Sequence, residues 1–189
     1  MRQEAASDYL TKFSRLIRMV LTNSMHTVTS LEDELEMLRL YLDMERLRFK
    51  NAFDYSITFN NSIDIGNTFV PPLLLQPFAE NAIWHGLMHK EGQGHLKIEL
   101  TIDNDELVCT ITDNGIGRAK AAEYKSKAAY KQKSMGLQIT TDRLALLNET
   151  DSKQTFFDIE DIMDDKGNAA GTKVILKMNY RKAQIASEI

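Results

Sequence analysis

A chain of 189 residues, 43% hydrophobic and 26% charged, has room for one full core and a helical extension but not for two large domains. Its 23 basic against 27 acidic residues give a net charge of −4, which argues against nucleic acid or anionic lipid as the main partner. The single cysteine, Cys109, rules out an intrachain disulfide, and no apolar run approaches the roughly 20 residues that span a bilayer, so the sequence reads as a soluble, cytoplasmic polypeptide.

From Tyr9, the apolar residues Leu10, Phe13, Ile17, Val20 and Leu21 recur at helical spacing with Lys12, Arg15 and Arg18 between them. This pattern predicts an amphipathic helix of about five turns. After the polar break at Thr22, Asn23 and Ser24, Ser30 stands three positions before Asp33, a spacing that starts a second helix running to about Phe49. Leu31, Leu35, Leu38, Leu42 and Phe49 line one face of that helix, and Met37, Leu40, Met44 and Leu47 make a second apolar stripe. Two stripes imply contact on two sides. Either the helix is sandwiched inside one monomeric core, or it packs on its own domain and on another helix or subunit.

Beyond Asn51, alternating segments at 53–59, 96–102, 107–112, 155–162 and 172–178 predict strands, and helical patterns occupy 73–87 and 136–148. Cys109 falls within one of the strands and reads as a small buried residue. Strands interleaved with helices, with two amphipathic helices segregated at one end, predict an α+β fold, a two-layer α/β sandwich with a mixed sheet. Residues 1–50 form the expected helical segment, 51–180 the main domain and 181–189 a tail. The stretch 118–134 carries Lys120, Lys125, Lys127, Lys131 and Lys133 among alanines and reads either as a solvated segment or as a lid.

Several polar residues recur in an order that suits a nucleotide. Asn81 and His85, four apart on the helix 73–87, share a face, while Leu75, Phe78 and Ala82 fall on the core side. An asparagine so placed can offer its amide oxygen to Mg²⁺, although an isolated N-x-x-x-H is more simply a solvated face. Asp113 ends an apolar strand, and Gly115 and Gly117 follow, allowing a turn and the close approach of a flat ring. An ionised aspartate only accepts hydrogen bonds, which suits the exocyclic amine of adenine and not the carbonyl of guanine. The rival reading is an Asn-Gly hairpin turn that Asp113 merely caps. Ser134, Met135, Gly136 and Leu137 open the helix 136–148, where free amides and the helix dipole favour phosphate. Gly171 and Thr172 begin the last strand, placing a hydroxyl within reach of a base, directly or through water.

The series ENAIWHG, DNGIG, SMGL with the downstream Arg143-Leu144, and GT resembles the Bergerat-type ATP-binding fold shared by histidine kinases, gyrase and MutL. More narrowly, LEDELEMLRLYLDMERLRF, PPLLLQPFAENAIWHGLMHK and DNGIGR are similar to the LytS-like sensor histidine kinases, particularly of the Bacteroidetes type, over about residues 6–178. The resemblance implies an ATP-binding catalytic domain of a two-component phosphorelay, with ATP and Mg²⁺ as cofactors. It makes Asn81 the Mg²⁺ ligand and Asp113 the reader of the adenine amine. Gly115 and Gly117 become the adenine-side turn, Met135, Gly136 and Leu137 the phosphate-side helix start, and Thr172 the hydroxyl near the base. His85 stands where many relatives have a tyrosine beside the nucleotide. The implied partners are a response regulator and a second copy joined through the helical region, with the full-length protein anchored in the inner membrane.

Two positions depart from the pattern. Trp84 stands where other histidine kinases often place a phosphate-contacting lysine, so a cation must come from elsewhere, such as Lys90 or the lid. Pro77 occupies the general-base position of gyrase-like ATPases, which favours phosphotransfer over hydrolysis; Glu80, one residue before Asn81, is a candidate only for polarising or supporting work. The acceptor motif N-P-H-F of LytS-like kinases is absent, and His26, His85, His89 and His95 are the only histidines. The expectation is therefore a fragment that transfers the γ-phosphate to a histidine upstream of it and does not phosphorylate itself. The alternatives are an ATP-binding interaction module that has lost catalysis, or an ATPase or serine kinase on the same fold.

Overall fold

The computed structural model describes residues 2–127 and 155–182, and side chains at 7–124 and 155–182. The predicted helix 136–148 and the residues Met135, Gly136 and Leu137 lie outside the described residues. Helix α1 spans Arg2–Ser24 and α2 spans Leu31–Arg48. The start of α2 is capped as its spacing demands, the Asp33 N–H donating to Ser30 Oγ at 3.1 Å. Five strands build the main sheet: β2 (Phe53–Phe59), β4 (Gly94–Asp103), β5 (Glu106–Asp113), β6 (Phe156–Met163) and β7 (Ala169–Met178), ordered β2-β4-β5-β7-β6. All neighbours are antiparallel except β2 and β4, which run parallel, so the sheet is mixed.

Each apolar stripe of α2 has its own partner. Leu31, Leu35, Leu38 and Leu42 join the main core with Phe53, Ile98, Leu107, Ile111 and Leu176, whereas Met37, Leu40 and Met44 close a second cluster with Leu16 of α1. The helix thus packs on the sheet and on a neighbouring helix of the same chain. Leu47, at the end of the second stripe, is exposed. Cys109 is fully buried at the centre of the sheet, and burial, with the charge of Glu34 adding to it, pushes its thiol up to about 12.

The predicted helix 73–87 begins later and changes pitch. Leu73 takes a left-handed φ of 57°, so the helix cannot start there; α3 covers Gln76–Asn81, followed by a π-helical turn at Ala82–Gly86 and a 3₁₀ turn at Leu87–His89. Pro77 sits in the first turn, where its missing N–H costs nothing. What replaces the missing cap is remote in sequence. The buried carboxylate of Glu34, 2% exposed on α2, accepts the backbone N–H groups of Leu73, Leu74 and Leu75 at 2.7, 2.8 and 3.0 Å. A small sheet that alternation is too short to reveal joins β1 (Thr29–Ser30), β3 (Thr68–Val70) and β8 (Arg181–Lys182). After β5 comes α4 (Gly117–Lys127), which is the described part of the lysine-rich stretch.

Candidate functional site

A cavity of about 210 Å³ lies between α3 with its π turn, α4, and the faces of β5, β6 and β7. Phe78, Ala82, Ile111, Ile159 and Val174 make its walls apolar; Asn81, His85, Asp113 and Thr172 supply the polar groups. The expected residues Asn81, His85, Asp113, Gly117 and Thr172 therefore come together from three separate parts of the chain. Gly115 lies beneath them, against Gly86 and Asp113.

Asp113 is the buried pole of the cavity, 4% exposed at the end of β5, and it faces Thr172 across the β5–β7 ladder. Its Oδ1 accepts the Gly115 N–H at 2.8 Å, which makes the turn a side-chain-stabilised bend leading into α4 and not a hairpin. Burial dominates its electrostatics and raises its pKa from 3.8 to about 6, against the stabilising backbone N–H groups of Gly115 and Thr172 and the charge of Lys90. A carboxylate held this way has a charge that solvent does not satisfy, facing a hollow with apolar walls.

Three glycines make that placement possible. A methyl group on Gly86 or on Gly115 would stand 2.7 Å from Asp113 Oδ1, and one on Gly171 would fall on the Asp113 carbonyl oxygen. Gly86 and Gly171 act here as much as the glycines of the turn do, and only their proximity in the fold reveals it. Gly115→Ala is expected to lower stability by about 1–3 kcal/mol through overpacking, read as a shift in urea midpoint. Gly66→Ala, where a methyl would meet its neighbours at 3.6 and 3.7 Å, is the control, and equal midpoints for the two variants would show that the turn yields.

Asn81 is half-buried, and its Nδ2 donates to the Pro77 carbonyl at 2.6 Å, which leaves Oδ1 as the acceptor end of the amide. Trp84 is not part of the cavity lining. Its ring meets Phe49 edge-on with centroids 5.4 Å apart and lies under the Arg48 guanidinium at 4.7 Å, so it belongs to the seam with α2. Glu80 also lies outside the lining and is influenced by Glu45 of α2.

The α4 wall is Gly117, Arg118, Ala121 and Ala122. Arg118 pairs with Asp161 of β6 through two bonds of 2.7 Å, and Tyr124 stacks on His89 at 4.9 Å with planes 6° apart. The turn is pinned from the other side by Asn114, whose Oδ1 accepts the His95 N–H at 2.7 Å. Among the described residues no group of three or more His, Cys, Asp or Glu side chains could hold a metal by itself. No described helix is long and apolar enough to cross a membrane.

The family described as Histidine kinase matches residues 1–53. YwpD of Bacillus subtilis is 28% identical over 143 residues, 75% of this chain and 50% of that protein. The sensor histidine kinase/phosphatase LytS of Staphylococcus aureus is 32% identical over 119 residues, 62% of this chain and 20% of that protein. The chain thus spans half of one relative and a fifth of the other. Among solved structures, the catalytic domain of histidine kinase ThkA matches with a TM-score of 0.55 at 13% identity, covering 81% of this chain and 95% of that one. The histidine kinase AdeS of Acinetobacter baumannii matches with a TM-score of 0.53 at 14% identity, covering 94% of this chain and 80% of that one. The chain is thus similar in sequence to LytS sensor histidine kinases and in fold to histidine kinase catalytic domains.

Proposed function

We propose that the chain binds Mg²⁺·ATP in this cavity and transfers the γ-phosphate to a histidine presented to it, from which an aspartate of a response regulator takes the phosphoryl group. The observation that carries the reading is Asp113, a carboxylate buried among glycines in an apolar slot, where a flat ring bearing an N–H donor would satisfy it. The residues present fit the cofactor. Asp113 would accept the adenine amine beside the Thr172 hydroxyl, the apolar walls would take the ring, and Asn81 Oδ1 would serve the metal, with phosphate oxygens and water completing its shell. Bound there, Mg²⁺ neutralises phosphate charge, and the protein's part is positioning. On the phosphate side the proposal names Met135, Gly136 and Leu137, from the sequence resemblance alone.

The helical region supports a homodimer. Leu10, Phe13, Ile17 and Leu21 of α1 form an exposed apolar stripe on the side that α2 leaves open. In the full-length protein we place this domain on the cytoplasmic side of a membrane anchor.

Calorimetry tests the reading. The chain should bind a non-hydrolysable ATP analogue in the presence of Mg²⁺, and Asp113→Ala should reduce the affinity at least about 100-fold, the loss of a charge-assisted hydrogen bond together with its buried partner. Undiminished binding by that variant would sink the site assignment.

A further inference from the structure

Helix α3, which carries Asn81, has no side-chain cap from its own neighbourhood. A serine or aspartate at the Leu75 position would supply one locally, yet the entry of the helix is held from α2. Glu34 Oε1 accepts the Leu74 and Leu75 N–H groups at 2.8 and 3.0 Å, and its Oε2 accepts that of Leu73 at 2.7 Å. A carboxylate only 2% exposed needs donors to remain charged, and these three come from one short segment, with Leu73 held at a left-handed φ of 57°. The connection continues to the cavity. The Leu75 carbonyl accepts the Ala79 N–H at 3.3 Å, and the Pro77 carbonyl accepts Asn81 Nδ2 at 2.6 Å. Only Gln76 lies between Leu75 and Pro77, so two hydrogen bonds and three residues of backbone lead from a side chain of α2 to the Asn81 amide. Helix α2 is itself fixed on both faces, by Leu31, Leu35 and Leu38 in the main core and by Met37 and Leu40 against α1. Asp113 stands apart from this path, held by the N–H groups of Gly115 and Thr172.

We propose that Glu34 is a positioning residue: by clamping the entry of α3 to α2, it sets where the Asn81 amide oxygen stands in the cavity. A local cap would satisfy the backbone equally well but would leave α3 free to turn against α2, and a turn of a helix swings every side chain on it. The clamp removes that freedom at the end of α3 to which the Asn81 amide is tied. It stands on hydrogen-bond geometry alone; its consequence for a metal rests on the function proposed above. Groups that orient a metal ligand commonly change metal affinity by about tenfold or more when removed, and Glu34 acts on Asn81 in this way through the backbone of residues 75–77.

The test reads Asn81 and the adenine end separately. In the ¹⁵N-labelled chain without nucleotide, the side-chain amide signal of Asn81 is identified by its loss in Asn81→Asp. That signal should move in Glu34→Gln, whose amide nitrogen opposes a backbone N–H, while the signal of Asn114, anchored on His95, stays in place. Calorimetry then measures ADP affinity with Mg²⁺ and with a chelator. The Mg²⁺-dependent gain should shrink about threefold in Glu34→Gln and about tenfold or more in Glu34→Ala, with affinity in chelator within about twofold of wild type. An Asn81 signal that stays in place or an unchanged gain overturns the proposal. Equal losses with and without Mg²⁺ overturn it too, because a merely loosened fold weakens both ends alike. Should Glu34→Ala fail to fold, Glu34→Gln decides alone, since it keeps the size of the side chain and the Oε1 bonds to Leu74 and Leu75. A shifted Asn81 signal in a chain that binds no nucleotide upholds the clamp and sinks the functional reading, so the two failures are distinguishable.

Discussion

Replacing Glu34 with alanine is expected to cost at least about 3 kcal/mol of stability, since it strips the acceptor from three backbone N–H groups, two of them in fully buried contacts. Leu73, one of the three donors, is also held at a positive φ that a leucine rarely adopts, so the carboxylate both satisfies the segment and fixes a conformation it would otherwise leave. Glu34→Gln should fall between the two, because its remaining oxygen still accepts the Leu74 and Leu75 N–H groups while its amide nitrogen faces the Leu73 N–H. Urea unfolding at matched slopes measures both variants. A midpoint for Glu34→Ala within error of wild type would mean that the segment relaxes to water without penalty.

The second large effect is a dependence on pH centred on Asp113. Its pKa is raised by burial from 3.8 to about 6, so between those values the folded chain binds more protons than the unfolded one. Stability therefore falls as pH rises through that window, with no contribution below it and a full penalty of about 3 kcal/mol above it, at 1.36 kcal/mol per unit. Subtracting the stability of Asp113→Asn from that of wild type, pH by pH, isolates this slope. Binding runs the other way. On the proposed function the adenine amine needs the ionised form, so affinity for ADP should weaken about tenfold per unit below pH 6. Affinity that stays flat from about pH 5 to 7 would remove Asp113 from the role of adenine acceptor.

Much of the fold follows from local pattern, since alternation survives in strands that bury one face, and β2, β4, β5, β6 and β7 all lie within a few residues of where their sequence places them. The double stripe of α2 is equally direct, because each stripe found a separate cluster. What pattern does not carry is interaction across the fold. An acidic residue in the first turn of a helix reads as complement to the dipole, and nothing local marks Glu34 as the cap of another helix forty positions on. The π turn after Asn81 has no composition of its own. Strands of two or three residues leave no period to read, which hides β1, β3 and β8. In the site, Asn81, Asp113 and Thr172 announce themselves by type and order, while Gly86 and Gly171 matter only through what they leave room for.

The pairing of Asp113 with Thr172 has one more consequence. The two residues sit side by side in the sheet, although all of α4 and β6 lies between them in the chain. A nucleotide that engages both is a non-covalent cross-link between distant parts of the polypeptide, closing a long loop that strand pairing otherwise closes alone. On the proposed function its binding free energy would add to the folding free energy by mass action, so the concentration of nucleotide would set how often the central β5–β7 pairing opens.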